Sequence, residues 1–182
     1  CLLCPAGQTT PVPGQQFCSN CSAGFVAPFP GMTSCQACEP GRFVALPGEL
    51  ECSPCADKTF QNLTGQSECL QCFPGYFSDE PALAVCKPCP GGRFINARGA
   101  TVCSLCPTGH FTFSNISREG FSTCLRCPAG YVAPLEGSVA CEACKPGSYA
   151  NISGLTGCSL CEPNTYSAKP GQTECDECAF AN

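Results

Sequence analysis

The chain has no tryptophan, one methionine and one histidine, His110, in 182 residues. Catalysis built on imidazole therefore has a single candidate, and that candidate has no nucleophile or carboxylate motif beside it. A metal site built on imidazoles has none, so no enzyme is expected. Charge is sparse as well: 9 basic and 14 acidic side chains are scattered singly, with no Lys/Arg cluster, which excludes nucleic acid and anionic membrane as partners. No apolar run approaches the roughly 20 residues that span a bilayer. Isoleucine, leucine and valine together number only 22, too few for one large core.

What the chain has instead is 22 Cys, 19 Gly and 18 Pro. Every cysteine falls in one of eleven C-x-x-C doublets, beginning at Cys1, Cys18, Cys35, Cys52, Cys69, Cys86, Cys103, Cys124, Cys141, Cys158 and Cys175. The step between doublets is 17 residues nine times in ten, and 21 from Cys103 to Cys124. A fixed short period marks a tandem array of small units, each touching mainly its neighbours. We read residues 1–182 as one array of about ten repeats with boundaries at Cys18 and each later doublet. The chain opens on Cys1, already inside the repeated motif, so a piece of a longer secreted parent is expected.

Within a repeat the positions divide the work. Three residues after the second cysteine stands Gly in eight copies, replaced by Lys58 and Asn164. Four residues before the next doublet stands Gly in nine copies, replaced by Ala82, and Pro precedes five of these ten positions. Gly and Asn accept positive φ, and Pro-Gly forms tight turns, so each repeat is expected to fold back between two short extended segments. An aromatic residue five positions after the second cysteine (Phe43, Phe60, Phe77, Phe94, Phe111, Tyr149, Tyr166) is expected to cover the sulfurs and the adjoining repeat.

The doublets allow two chemistries. Four thiolates spaced C-x2-C-x13-C-x2-C approach a zinc ribbon, but zinc consumes doublets in twos, eleven is odd, and nothing alternates between steps inside a site and steps between sites. A thioredoxin-like site needs one doublet at a helix start, not eleven in loops. Disulfides are favoured, with no cofactor and no metal. We expect the second cysteine of each doublet to bond the first of the next: Cys4 with Cys18, Cys21 with Cys35, Cys38 with Cys52, Cys55 with Cys69, Cys72 with Cys86, Cys89 with Cys103, Cys106 with Cys124, Cys127 with Cys141, Cys144 with Cys158 and Cys161 with Cys175. This leaves Cys1 and Cys178 for partners outside the segment. A rival scheme joins consecutive doublets twice in parallel.

The sequons Asn62-Leu63-Thr64, Asn115-Ile116-Ser117 and Asn151-Ile152-Ser153 make Asn62, Asn115 and Asn151 candidate N-glycan sites, while Asn20-Cys21-Ser22 fits only formally. Asn62 and Asn151 share one register, consistent with an outward loop apex. Oxidised thiols with glycan acceptors place the chain in the secretory pathway or outside the cell. Two features stand apart. The long loop from Cys106 to Cys124 holds four extra residues, and Glu174, Asp176 and Glu177 form the densest acidic group, read as solvated surface.

Segments such as Cys38-Glu39-Pro40-Gly41-Arg42-Phe43 and Cys144-Lys145-Pro146-Gly147-Ser148-Tyr149, each running on through Gly to the next C-x-x-C, resemble the ephrin-receptor-like cysteine-rich repeat. They are also similar to the first half of a tumour-necrosis-factor-receptor cysteine-rich module. The resemblance implies small disulfide-bonded units stacked into an elongated extracellular rod, mostly coil with short β-hairpins; if each unit is a hairpin stacked beside the last, at about 10 Å per repeat, ten units make a rod of about 100 Å. The three-disulfide pattern of a receptor module is missing and one short unit recurs, which favours a shaft. The expected function is a glycosylated spacer or a component of a surface filament, its partners being flanking repeats, other copies or other extracellular proteins. The alternative is a receptor or adhesion ectodomain that binds a protein ligand along its flank.

Overall fold

A turn begins every repeat. In Glu39-Pro40-Gly41-Arg42 the Arg42 amide donates to the Glu39 carbonyl at 3.0 Å, and Gly41 has φ +83°. Pro fixes φ of the second turn residue, and the third needs the left-handed region, which Gly adopts without steric cost. The computed structural model describes residues 3–10, 17–113 and 119–178. The three non-glycine substitutions in the turn and loop columns, Lys58, Ala82 and Asn164, also take positive φ, at 76°, 62° and 67°. The fold dictates that conformation and the side chain tolerates it. Gly120, in the long loop, is the described loop glycine that does not adopt it.

From the turn the chain enters a two-residue strand that pairs antiparallel with the two residues between the cysteines of the next doublet. Gln8–Thr9 pairs with Ser19–Asn20, Phe25–Val26 with Gln36–Ala37, Arg42–Phe43 with Ser53–Pro54, and so on to Thr165–Tyr166 with Asp176–Glu177. The described residues hold ten such two-stranded sheets and no helix. A two-residue hairpin is not stable alone. Each is closed by a disulfide with Cα–Cα 5.7–5.9 Å, in the pairing Cys4–Cys18 through Cys161–Cys175. An amide-to-carbonyl bond from the second cysteine of the next doublet back to the turn residue completes the closure, as from Cys21 to Gly7 at 3.0 Å.

The described chain forms two compact parts. The first contains Cys1–Phe73, Phe77–Lys87 and Arg98–Val102; the second contains Pro74–Tyr76, Pro88–Ala97 and Cys103–Asn182. Within the first, three backbone bonds recur from repeat to repeat. The turn residue donates to the next repeat (Gly7 to Ala27, Gly24 to Val44, Gly41 to Gln61, Lys58 to Ser78) at 2.7–3.2 Å. The next repeat's loop residue donates back to the second cysteine (Gly31 to Cys4, Gly48 to Cys21, Gly65 to Cys38, Ala82 to Cys55) at 2.8–2.9 Å. The third bond runs from Val44 to Gln66, Gln61 to Leu83 and Ser78 to Ala100 at 3.0–3.3 Å. The second part repeats the scheme, with Gly92 to Thr112, Gly109 to Ala133, Gly130 to Ala150 and their counterparts.

The residue six positions after the second cysteine is thereby bonded on both sides. Gln61 accepts from Gly41 through its carbonyl and donates to Leu83 through its amide; Ala150 does the same between Gly130 and Gln172. A backbone held between two neighbours sheds water, and most of this column is buried together with the second cysteines: Ala27, Val44, Gln61, Ser78, Thr112, Ala133, Ala150 and Ser167, while Ile95 is half-buried. The aromatic column is not. Phe43, Phe60, Phe77, Phe94, Phe111 and Tyr149 are half-buried and Tyr166 is exposed. The ring stands one residue away, where the side chain turns to the other side of an extended segment. The small apolar clusters centre on sulfur: Val26, Cys38 and Val44 with Cys52 in the first part, and Val132, Cys144 and Ala150 with Leu155 and Cys158 in the second.

Contacts also skip one repeat. A Cβ on Gly41 would strike the carbonyl oxygen of Ala82, two repeats on, and Gly7 faces Gly48 and Gly24 faces Gly65 in the same way. Gly92, Gly109 and Gly130 face Gly137, Gly154 and Gly171 in the second part. Lys58 places a real Cβ in this column, and its amide bond to Ser78, at 3.2 Å, is longer than its three counterparts from Gly7, Gly24 and Gly41 in the first part.

Candidate functional site

The chemistry-bearing groups are sulfurs, and the fold takes most of them out of reach. Of the second cysteines, Cys4, Cys21, Cys38, Cys55, Cys72, Cys89, Cys106, Cys127 and Cys144 are at most 2% exposed and all are bonded. A sulfur that is both oxidised and covered presents no thiolate for redox exchange or for metal. Cys178 is free and exposed, although its amide donates to the Asn164 carbonyl at 2.9 Å, as its counterparts do in earlier repeats. Cys1 lies outside the described residues.

The sequon positions differ in what surrounds them. Asn62 is exposed, on a loop pinned by Gln61, whose Nε2 donates to the Glu68 carbonyl at 2.8 Å and whose Oε1 accepts the Leu63 amide at 3.1 Å. Asn151 is exposed at the same register. Asn115 lies outside the described residues. Asn20 is exposed but stands in a strand beside the bonded Cys21, with its side-chain amide against Gly48.

One residue beyond this register runs a column that the sequence reading missed. Phe29, Leu46 and Leu63 in the first part, and Leu135 and Ile152 in the second, are 58–71% exposed although apolar. The signal was available, since the column recurs eight residues after the second cysteine, but apolar residues are ordinarily assigned inward. Beside Leu46 lies a shallow groove of about 230 Å³ lined by Phe43, Val44, Ala45, Leu46, Glu49, Glu51 and Ser53. All the carboxylates of the described residues are exposed. The only ion pairs among those residues join Lys87 to Asp79 at 2.8 Å and to Glu80 at 2.7 Å. The Lys87 hydrogen bond holds the Asp79 carboxyl below its usual range, and the bonds to Asp79 and Glu80 hold the Lys87 ammonium above its own.

The remaining candidates stay apart. His110 sits half-buried in a strand opposite Arg126, its Nδ1 3.1 Å from the Thr108 carbonyl. Glu174 lines a second open groove with Tyr149, Glu162, Thr165 and Cys175, while Asp176 accepts a 3.4 Å bond from Gln172. The long loop between Cys106 and Cys124 places Phe113 edge-on to Phe111 at 5.0 Å, and its residues 114–118 lie outside the described set. No helix among the described residues is long and apolar enough to cross a membrane.

The family model described as tyrosine-protein kinase ephrin type A/B receptor-like matches residues 41–82, 75–119 and 147–182, together more than half of the chain. No curated protein matches it. The repeats and the ten disulfides suggest an extracellular domain.

Proposed function

Because the chain belongs to the ephrin type A/B receptor-like family, we propose that it is a non-enzymatic extracellular structural segment, a glycosylated and disulfide-laddered rod that spaces other domains or builds a surface filament. The observation that carries this reading is the three-bond backbone ladder, repeated from one closed hairpin to the next within each compact part. Small units that cannot bury a core alone gain stability from such neighbours, and stacking extends them in one direction. At about 10 Å per repeat, ten repeats reach about 100 Å. The mechanism is mechanical: each loop is covalently closed, so the residues inside a hairpin cannot be pulled out to full length without breaking a sulfur bond. N-glycans on Asn62, Asn115 and Asn151 keep the outer surface hydrated.

Small-angle scattering of the oxidised protein tests the rod: a maximum dimension near 100 Å with a rod-like cross-section is expected, and a compact sphere overturns it. Electron microscopy of native material separates an isolated spacer from a filament. The exposed apolar column gives a second reading, a receptor or adhesion ectodomain that engages a protein ligand along that column.

A further inference from the structure

We propose that the groove at Phe43–Ser53 receives Arg98 of a second copy, so that the chain self-associates through a staggered contact between its Cys38–Cys52 repeat and its Cys89–Cys103 repeat. The inference rests on the filament form of the function proposed above. Both surfaces belong to the first compact part or its rim of loops.

The groove pairs an apolar floor with an acidic edge. Phe43 and Leu46 offer ring and methyl surface, and the carboxylates of Glu49 and Glu51 have no ion-pair partner. Its volume, about 230 Å³, admits one long side chain rather than a folded element. An apolar wall beside two free carboxylates fits a guanidinium, which is weakly hydrated, stacks on rings and binds carboxylates through its planar fork.

The chain's own cations narrow the choice of occupant. Arg42 and Arg93 donate to the carbonyls of Cys52 and Cys103 at 2.9 Å, inside their own hairpins. Lys87 is held by Asp79 and Glu80. The Arg126 side chain lies along Gly154. Arg98 differs. It is exposed on a loop and, like the other described arginines, has no ion pair among the described residues, but its guanidinium alone lies over a ring, 4.7 Å from the centre of Phe73. Stacking on a half-exposed ring orders the side chain and leaves its donors free, so less entropy is lost on docking. Phe73 and Arg98 thus pair a ring with a positive charge where the groove pairs a ring with negative charge. Groove and knob are different patches of one chain, so the contact is heterologous and generates an open assembly rather than a closed dimer.

Sedimentation velocity on the oxidised protein at about 20 mM and about 500 mM salt tests this. The wild type is expected to associate at low salt and to weaken at least about tenfold at high salt. Arg98→Glu, and separately the pair Glu49→Lys with Glu51→Lys, should each abolish association, an equimolar mixture of the two variants should restore it, and Arg126→Glu should leave it unchanged. A wild type that stays monomeric at low salt, association insensitive to these substitutions, or a mixture that fails to recover overturns the proposal. Scattering on the monomeric Arg98→Glu variant reads the rod separately: a rod that does not associate defeats the contact alone, and a compact particle defeats the rod.

Discussion

The amide of Gly92 donates to the side-chain oxygen of Thr112 at 2.7 Å, and to the carbonyl of the same residue at 3.2 Å. Thr112 is fully buried, so a side chain of one repeat supplies an acceptor to the turn of the repeat before it. Thr112→Val keeps the shape and removes that acceptor. A loss of about 1–2 kcal/mol is expected, confined to that junction. Hydrogen exchange at the Gly92 amide, accelerated at least about tenfold with amides of distant repeats unchanged, checks it.

The turn column gives a graded series. Gly41→Ala should destabilise by more than about 1 kcal/mol, because φ is +83° and the new methyl group meets the Ala82 carbonyl. Lys58→Gly should stabilise by up to about 1 kcal/mol by relieving a Cβ at φ 76°, and Asn164→Gly should be near neutral because Asn tolerates this region. Thermal melts of the three variants rank them.

Removing one covalent closure should open one hairpin. The double variant Cys127→Ala with Cys141→Ala is expected to cost about 3 kcal/mol, for a bond that spans 14 residues. Limited proteolysis should then cut between residues 128 and 140 while the Cys38–Cys52 loop stays resistant.

The Lys87 cluster sets a local pH response. Asp79 has its folded pKa lowered, so its contribution is present above the unfolded value near 3.8 and is lost as pH falls through the lower folded one. Lys87 has its pKa raised, so its contribution is complete below its unfolded value near 10.5 and is lost as pH rises through the higher folded one. NMR titration of the Asp79 carboxyl should give a midpoint below the ordinary carboxylate value, and Lys87→Met should return it.

Expression through a secretory pathway should add glycan mass that Asn62→Gln and Asn151→Gln each remove, since both asparagines are exposed. Asn20→Gln should remove none, because Cys21 enters a disulfide and Asn20 sits in a strand. Intact-mass measurement distinguishes them.

The repeat, its turns and its hairpins could be read from spacing because each rests on a local rule: Gly or Asn where φ is positive, Pro before it, and cysteine at a fixed interval. Lys58, Ala82 and Asn164 stood out in the sequence as departures, and the backbone keeps positive φ at all three. The buried column was harder. Gln61, Ser78 and Thr112 are polar, and what buries them is a backbone bonded to the repeats on both sides, a relation across 20 or more residues that no local pattern encodes. The groove at Glu49 and Glu51 escaped notice since it joins residues that are individually ordinary.

The close approach of Gly41 to Ala82, with its counterparts along both compact parts, bears on how such a chain can be engineered. Because the approaching group is a main-chain carbonyl, which any cassette supplies, a grafted 17-residue cassette should be accepted when it carries glycine in its turn and should clash with the cassette two positions away when it carries a larger residue there.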